Sequence, residues 1–145
     1  MVKNEKILKS YPISSSKYGE GSIQNSFKTP LGMQEIRTKI GHDAIENTIF
    51  VARADTNKSA KIIKDVIDTE DDHVTSRILW LDGLELGRNK GEGVDSYNRY
   101  IYIHGTHEEG LIGQKASHGC IRMFNNDVID LFDRVQEGTY VLIKA

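Results

Sequence analysis

The sequence predicts a mostly β fold, a β-sandwich in one domain, with one helix near the carboxyl end. A chain of 145 residues has the length of a single domain. Its short β-branched and aromatic stretches alternate apolar and polar side chains, and loops rich in glycine separate them. Only one stretch, beginning after residue 124, repeats its apolar side chains at helical spacing. Together these observations favour strands around one core, with the helix packed against them.

The predicted strands are spread along the whole chain. Apolar and polar side chains alternate over residues 6–14, 33–40 and 99–104, which predicts strands there. Strands are also predicted over residues 48–52, 74–81 and 139–143, which are short and rich in β-branched, aromatic and apolar residues. Residues 14–29 and 83–93 are predicted as loops, because glycine and polar residues dominate them. Thr29-Pro30-Leu31-Gly32 is predicted as a turn, since proline presets φ and glycine permits a positive one. Residues 60–68 fit a short strand and a helical turn equally.

The single predicted helix follows residue 124. Its apolar side chains recur at helical spacing and are assigned to the core: Val128, Leu131, Phe132 and Val135. Asn125 or Asn126 is predicted to cap the first turn, where Asp127 suits the positive end of the helix dipole. Gly138 is predicted to end the helix.

Composition limits the partners and the compartment. With a net charge of −2, the chain has no basic field to hold a nucleic acid, so none is expected as a partner. No apolar stretch reaches the length of a membrane span, and a single cysteine excludes an internal disulfide. The first residues lack the apolar segment of a signal peptide. We therefore expect a cytoplasmic protein if Met1 is the native start, and a periplasmic or cell-envelope protein if a signal peptide was removed.

Most of the reactive side chains fall in residues 103–123, IHGTHEEGLIGQKASHGCIRM. Cys120, the only cysteine, follows a glycine and has histidines upstream, a pattern typical of a thiol nucleophile. A free thiol of pKa ~8.5 is mostly protonated at neutral pH, so a neighbouring imidazole must activate it. His104 and His118 are both candidates for that base. His104 ends a predicted strand, which would hold it more rigidly, and the carbonyl of Gly105 could orient its ring.

Other polar groups of this run complete the predicted site. The backbone N–H groups of Gly119 and Cys120 are candidates for stabilising an oxyanion. Arg122 suits a substrate carboxylate, which a guanidinium binds through two hydrogen bonds, and a surface salt bridge explains it equally well. His107 is predicted as a solvated loop residue. The acidic residues 68–72 are predicted as a solvated loop, because their spacing differs from that of a calcium-binding loop.

Two motifs resemble a known family. Ser117-His118-Gly119-Cys120, together with the upstream His104-Gly105, resembles the signature of L,D-transpeptidase catalytic domains, also called YkuD domains. The Thr-Pro-Leu-Gly segment at residues 29–32 is similar to a second feature of that family, and the likeness extends over residues 11–143. The resemblance implies a YkuD-like mixed β-sandwich with one helix after the catalytic cysteine.

The resemblance also implies a reaction and roles for the site residues. Cys120 would attack the diaminopimelate carbonyl of a peptidoglycan tetrapeptide stem, expel D-alanine and form a thioester. His104 would act as the base, oriented through the Gly105 carbonyl. The backbone of His118, Gly119 and Cys120 would hold the oxyanion.

Ser117 and Arg122 are the predicted substrate-binding residues, although many members of the family have asparagine in place of Arg122. The partners would be peptidoglycan stem peptides or muropeptides, with no metal or cofactor, and carbapenems acylate the cysteine in this family. An amine acceptor would give a 3-3 crosslink, whereas water would give a shortened stem. The missing leader favours water, which would make the protein an L,D-carboxypeptidase in peptidoglycan recycling.

Two interpretations from other classes remain open. A zinc-binding module would use His104, His107, His118 and Cys120 as ligands, although no Cys-x-x-Cys pair accompanies them. A catalytically idle cell-wall binding domain would keep the same fold with an unreactive Cys120.

Overall fold

The computed structural model describes residues 1–145 and contains eleven strands, one α-helix and one 3-10 turn. The strands are β1 (Val2–Lys3), β2 (Lys6–Ile7), β3 (Ser15–Ser16), β4 (Gly32–Ile40), β5 (Thr48–Val51), β6 (Ala54–Ser59), β7 (Val74–Gly83), β8 (Tyr102–Thr106), β9 (Lys115–Ser117), β10 (Ile121–Met123) and β11 (Tyr140–Ile143). The helix α1 spans Asn125–Arg134, and the 3-10 turn spans Glu109–Leu111. No helix of the chain has the length and apolar character needed to cross a membrane.

Seven strands form the central sheet, in the order β10-β8-β7-β4-β11, with β5 added to β7 and β6 to β5. Every pairing in this sheet is antiparallel except that of β8 with β10. The remaining strands form two small pairs, β1 with β2 and β3 with β9. The predicted fold class, mostly β and mixed with one helix after Cys120, is therefore confirmed.

The strand β7 lies at the centre of the sheet. Its carboxyl-terminal half pairs with β4, whereas Val74 and Thr75 at its start pair with β5. A β-bulge interrupts its pairing with β8 between Thr75 and Ile78, where Ser76 has a φ of 67°. Because a bulge bends a strand, the two halves of β7 carry their neighbours in different directions.

The main core lies between the sheet and α1, which packs against β7 and β8. It consists of buried apolar side chains from the central strands and the helix: Ile36, Leu79, Leu81, Ile101, Ile103, Ile121, Met123, Val128, Phe132 and Val135. The predicted apolar stripe of the helix is confirmed, although Leu131 is only partly buried against this core.

The strand β8 separates this core from the opposite face of the sheet. Ile103 points into the main core, whereas Tyr102 packs with Phe50 in a second, smaller cluster. Because side chains alternate along a strand, His104 shares the face of Tyr102. Cys120 also packs against the smaller cluster. The predicted catalytic side chains therefore lie on the side of the sheet away from α1.

Several predicted strands differ from the observed ones. The strand predicted over residues 6–14 is wrong for most of its length, because β2 ends at Ile7 and the chain joins no further strand until Ser14 bridges to Arg122. Residues 60–68 form neither a strand nor a helical turn. The strand predicted over residues 99–104 begins and ends later, as β8. The sequence of β6, ADTNKS, is polar and mostly exposed, so it carries no apolar alternation to reveal its pairing with β5.

The ends of the helix are set by different residues from those predicted. Phe124 is the N-cap and forms no side-chain hydrogen bond, so the predicted capping by Asn125 or Asn126 is wrong. The side chain of Asn125 points inward instead, and the carboxylate of Glu109 accepts its backbone N–H at 2.9 Å. At the other end, α1 has already ended before Gly138, which has a φ of 89° and belongs to the turn before β11.

Candidate active site

The connection between β9 and β10 carries Cys120 and lies beside β8. The strand β10 runs parallel to β8, with Arg122 paired to His104. By the same register Cys120 lies beside Tyr102. Cys120 and His104 therefore reach the same face of the sheet from neighbouring strands.

Gly119 allows this connection to turn closely against the rest of the chain. Its φ of 122° is one that glycine adopts far more readily than other residues. A Cβ at this position would lie 3.3 Å from the carbonyl oxygen of Lys28 and 3.4 Å from Cδ1 of Ile101. The carbonyl oxygen of Gly119 accepts a hydrogen bond from Thr29 Oγ1 at 3.0 Å. The Thr-Pro-Leu-Gly segment therefore supports the cysteine turn from its other side.

The thiol of Cys120 is hydrogen-bonded to the backbone. Sγ accepts the N–H of Tyr102 at 3.3 Å, and the thiol donates to the carbonyl oxygen of Tyr100 at 3.3 Å. Burial raises the pKa of the Cys120 thiol to about 12, whereas the Tyr102 N–H and the charges of Arg99 and Arg122 act in the opposite direction. The thiol is therefore protonated at neutral pH in this side-chain conformation.

His104 is buried, and the residue after it fixes its ring. Nδ1 lies 2.5 Å from the carbonyl oxygen of Gly105. Burial lowers the pKa of His104, against the opposing effect of the Asp72 carboxylate, so the imidazole is neutral at neutral pH. A neutral ring that donates Nδ1–H to Gly105 keeps a lone pair on Nε2, as a general base requires. No hydrogen bond joins this ring to Cys120.

The backbone around Cys120 offers free hydrogen-bond donors. The N–H groups of His118 and Cys120 have no partner within the protein, whereas that of Gly119 donates to Ser117 Oγ at 3.3 Å. Ser117 Oγ in turn donates to the carbonyl oxygen of Cys120 at 2.6 Å. Because Ser117 has no exposed surface, its side chain stabilises the turn and does not face a substrate, contrary to the prediction.

Arg122 is buried as well, which corrects both interpretations of this residue. With 0% exposure, it is neither a surface salt bridge nor an accessible clamp for a substrate carboxylate. Nη1 lies 2.9 Å from Glu108 Oε1 and 3.2 Å from Asp72 Oδ1, and both carboxylates neutralise its charge. The reason is tertiary, because β10 has β8 on one side and the bridge to Ser14 on the other.

The cysteine turn lies next to β8, the strand that carries the buried His104, and a known protein family matches the chain that forms this arrangement. A family model described as the L,D-transpeptidase catalytic domain, YkuD, matches residues 1–143. This chain belongs to the YkuD family. The putative L,D-transpeptidase YqjB of Bacillus subtilis is 51% identical over 45 residues, which are 31% of this chain and 26% of that relative. The putative L,D-transpeptidase YkuD of the same organism is 43% identical over 61 residues, which are 39% of this chain and 37% of that relative.

Solved structures share the fold of this YkuD domain. An L,D-transpeptidase from Mycobacterium smegmatis superposes with a TM-score of 0.54 at 20% identity, covering 95% of this chain and 49% of that one. The L,D-transpeptidase LdtMt1 in complex with imipenem superposes with a TM-score of 0.52 at 18% identity, covering 97% of this chain and 51% of that one. The YkuD domain described here therefore spans about half the length of either structure, and the likeness shows a common fold.

Asp72 is a site residue of this YkuD domain that the sequence analysis missed. Oδ2 lies 2.8 Å from His118 Nδ1, and Oδ1 contacts the buried Arg122. Burial acts to raise the pKa of Asp72, but His104, the His118 hydrogen bond and Arg122 together lower it, so the carboxylate is ionised. The loop around Asp72 is exposed, as predicted, but the contacts of this carboxylate with His118 and Arg122 were not predicted. No spacing in the sequence connects residue 72 with residue 118, so no local pattern could have found the contact.

His107, predicted as a solvated loop residue, is buried in the YkuD domain. Nε2 lies 3.1 Å from Thr69 Oγ1, and the ring centroid is 4.6 Å from that of His73. Burial lowers the pKa of His107, and His73 acts in the same direction. The ligands considered for a zinc module are not brought together, since no group of three or more His, Cys, Asp or Glu side chains is placed to hold a metal ion.

Proposed function

We propose that the chain catalyses acyl transfer on peptidoglycan stem peptides, with Cys120 as the nucleophile. Membership of the YkuD family supports this reaction and this class of substrate. The observation that carries the proposal is the parallel pairing of β10 with β8, which brings Cys120 and His104 to one face of the sheet. The bond broken would join diaminopimelate to the terminal D-alanine of a tetrapeptide stem.

The first step is activation of the thiol by His104. In the resting conformation Cys120 donates a hydrogen bond to the Tyr100 carbonyl, and burial keeps the thiol neutral. Rotation about Cα–Cβ to another staggered conformer carries Sγ toward Nε2 of His104. The neutral imidazole then takes the thiol proton, and the thiolate attacks the diaminopimelate carbonyl.

The attack places negative charge on the carbonyl oxygen. The N–H groups of His118 and Cys120, which have no partner within the protein, are the proposed donors to this oxyanion. A donor of this kind typically lowers the barrier by ~3 kcal/mol. When the tetrahedral intermediate collapses, the His104 imidazolium gives its proton to the departing D-alanine amine, and the stem remains on Sγ as a thioester.

Two acceptors can complete the cycle, with His104 taking the proton of either one. Water releases a tripeptide stem, the L,D-carboxypeptidase reaction, whereas an amine of a second stem forms a 3-3 crosslink. The curated relatives are named as L,D-transpeptidases, which favours the amine. Mass analysis after incubation with a tetrapeptide stem separates the two reactions: crosslinked dimers are expected for the amine, and tripeptide alone would assign the chain to hydrolysis.

Replacement of the nucleophile tests the proposal as a whole. The wild type is expected to release D-alanine from a tetrapeptide stem and to show a transient mass increase that matches the tripeptide acyl group. The Cys120→Ala variant is expected to show neither signal, because no thioester can form. Release of D-alanine by this variant at the wild-type rate would sink the proposal.

A carbapenem gives a second measurement of the same cysteine. The structural neighbour LdtMt1 is described in complex with imipenem. We expect imipenem to add its mass to the wild type through acylation of Cys120 and to leave Cys120→Ala unmodified. The idle binding domain considered from the sequence predicts no modification of either protein.

A further inference from the structure

Arg99 is a half-buried cation without an anionic partner at the edge of the proposed site. Nη2 donates to the carbonyl oxygen of Lys28 at 2.8 Å and lies 3.5 Å from Ser26 Oγ. Nη1 lies 3.4 Å from the carbonyl oxygen of Gly21. All three acceptors are neutral, so no carboxylate of the protein balances the charge. A guanidinium carries five N–H donors, and these contacts leave donors free for a ligand.

Arg99 lies beside the nucleophile. It directly precedes Tyr100, whose carbonyl oxygen accepts the hydrogen bond of Cys120. Arg99 donates to the carbonyl oxygen of Lys28, and the same oxygen lies close to Gly119, 3.3 Å from where a Cβ on that glycine would be. The positive charge of Arg99 lowers the pKa of the Cys120 thiol, which is consistent with the same proximity.

A small cavity opens between Arg99 and His118. Its volume is about 150 Å³, and Phe27 and Tyr100 also line it. The rings of Phe27 and His118 meet edge to face with their centroids 6.2 Å apart. Pockets for drug-sized ligands are larger, at about 300–1,000 Å³. The cavity therefore suits a single small residue beside a positive charge.

We propose that Arg99 binds the terminal carboxylate of the donor stem, so that the residue to be expelled occupies this cavity. The inference rests on the proposed function. A carboxylate would supply the countercharge that Arg99 lacks, and a guanidinium can bind it through two hydrogen bonds. An anionic partner stabilises a half-buried charge more than an exposed one, because burial has already removed part of its hydration.

The leaving D-alanine is the part of the stem that fits this position. Its carboxylate lies one residue beyond the scissile carbonyl, whereas the free carboxylate of diaminopimelate lies at the far end of a long side chain. Arg122 cannot take the role, because it has no exposed surface and is already paired with Asp72 and Glu108. The enzyme is therefore expected to select stems that end in a free carboxylate after one small residue.

Two stem peptides that differ only in terminal charge test the inference. One ends in the carboxylate of D-alanine and the other in its carboxamide. The wild type is expected to use the acid about 10–100-fold better in kcat/KM, the usual range for a hydrogen bond to a charged group. In Arg99→Gln we expect kcat/KM to fall for the acid and to stay unchanged for the carboxamide, so that the preference is lost. Arg99→Lys, which keeps the positive charge, is expected to retain part of the preference.

The matched control is Arg134→Gln, which removes an exposed arginine at the end of α1. It is expected to keep the wild-type preference for the acid. An equal loss on both stems in Arg99→Gln would assign Arg99 a structural role and overturn the inference, while leaving the proposed function intact.

Alkylation of Cys120 provides a measurement that needs no stem peptide. Iodoacetate and iodoacetamide both form a thioether on sulfur and release iodide, but only iodoacetate carries a charge. The ratio of their rates, iodoacetate over iodoacetamide, is expected to fall several-fold in Arg99→Gln and to stay unchanged in Arg134→Gln. The same ratio in Arg99→Gln as in the wild type would overturn the inference. If the ratio falls in Arg99→Gln but the wild type acts on neither stem peptide, the proposed function is refuted, whereas the anion-binding role of Arg99 is retained.

Discussion

His104 and Cys120 are prepared unequally for the proposed reaction. The ring of His104 is buried, neutral and held on the Gly105 carbonyl, so it already presents Nε2 as a base. The thiol of Cys120 is instead hydrogen-bonded to backbone, and burial raises its pKa to about 12. Formation of the thiolate therefore requires both a rotation of Cys120 and a proton acceptor at the end of that rotation.

Removal of this acceptor is the first test at the level of single residues. His104→Gln is expected to lower kcat by about 10²–10⁴-fold, the usual contribution of a positioned general base. D-alanine release from a tetrapeptide stem measures the loss. His42→Gln, which changes a histidine with an 82% exposed side chain, is the control and should act like the wild type. Full activity of His104→Gln would assign the base to another group.

Asp72 gives a prediction about pH and stability. The pKa of its carboxyl is lowered in the folded protein from 3.8, so its stabilising effect is complete above pH 3.8 and is lost as the pH falls through the folded value. Asp72→Asn is therefore expected to reduce the free energy of unfolding by about 1–3 kcal/mol at pH 6, because Arg122 loses a charged partner. The difference in free energy of unfolding between the wild type and Asp72→Asn should become smaller below pH 4.

Denaturant titrations at a series of pH values measure this effect. Asp71→Asn is the matched control, because Asp71 is 74% exposed and its only ion pair is a 3.8 Å contact with His73. It should change the free energy of unfolding by less than about 0.5 kcal/mol at any pH. If the free energy of unfolding differed by the same amount between the wild type and Asp72→Asn from pH 6 to pH 3, the proposed link between Asp72 protonation and stability would be contradicted.

The short connection between β9 and β10 controls the site at the scale of elements. Gly119 and Gly87 both have a positive φ, of 122° and 82°. A Cβ at Gly119 would meet the Lys28 carbonyl oxygen at 3.3 Å, whereas nothing lies within 4 Å of a Cβ at Gly87. Alanine at either position should cost about 1–2 kcal/mol for the backbone conformation. Only Gly119→Ala should also lower the rate of D-alanine release, and equal rates in both variants would argue against close packing of the turn.

Asn125 joins three elements at the start of α1. Its Nδ2 donates to the Thr106 carbonyl oxygen and to Glu109 Oε2, each at 2.8 Å, and its Oδ1 accepts the hydroxyl of Thr75 at 2.5 Å. Asn125→Ala would leave these buried groups unsatisfied, so we expect the free energy of unfolding to fall by about 2–4 kcal/mol. Asn126→Ala, at the exposed neighbouring position, should change it by less than about 0.5 kcal/mol. Urea denaturation measures the free energy of unfolding of both variants. Similar decreases in Asn125→Ala and Asn126→Ala would contradict the stabilising role of the Asn125 hydrogen bonds.

At the scale of the whole molecule, the site draws on segments that are distant along the chain. The turn at residues 118–120 is supported by Thr29, the acidic loop supplies Asp72, and β8 supplies His104. Strands such as β4 and β7 were predictable, because the alternation in β4 and the β-branched and apolar run in β7 are local patterns. The pairing of β5 with β6 was not predictable, because β6 is polar and mostly exposed and so shows no apolar alternation. The burial of His107 was not predictable either, because it depends on contacts between residues that are remote along the chain.

The sequence by itself determined the family, the fold class and the reactive groups, because the His-Gly and Ser-His-Gly-Cys motifs and the strand and helix periodicities are local patterns of residue type. Tertiary structure alone decided what each polar group does. Arg122 and Ser117 became buried supports because β10 is enclosed on both sides, and Asp72 and Arg99 reached the site because the fold brings their loops against the cysteine turn. Burial and partner charge depend on which segments meet in space, and spacing along one chain does not encode them.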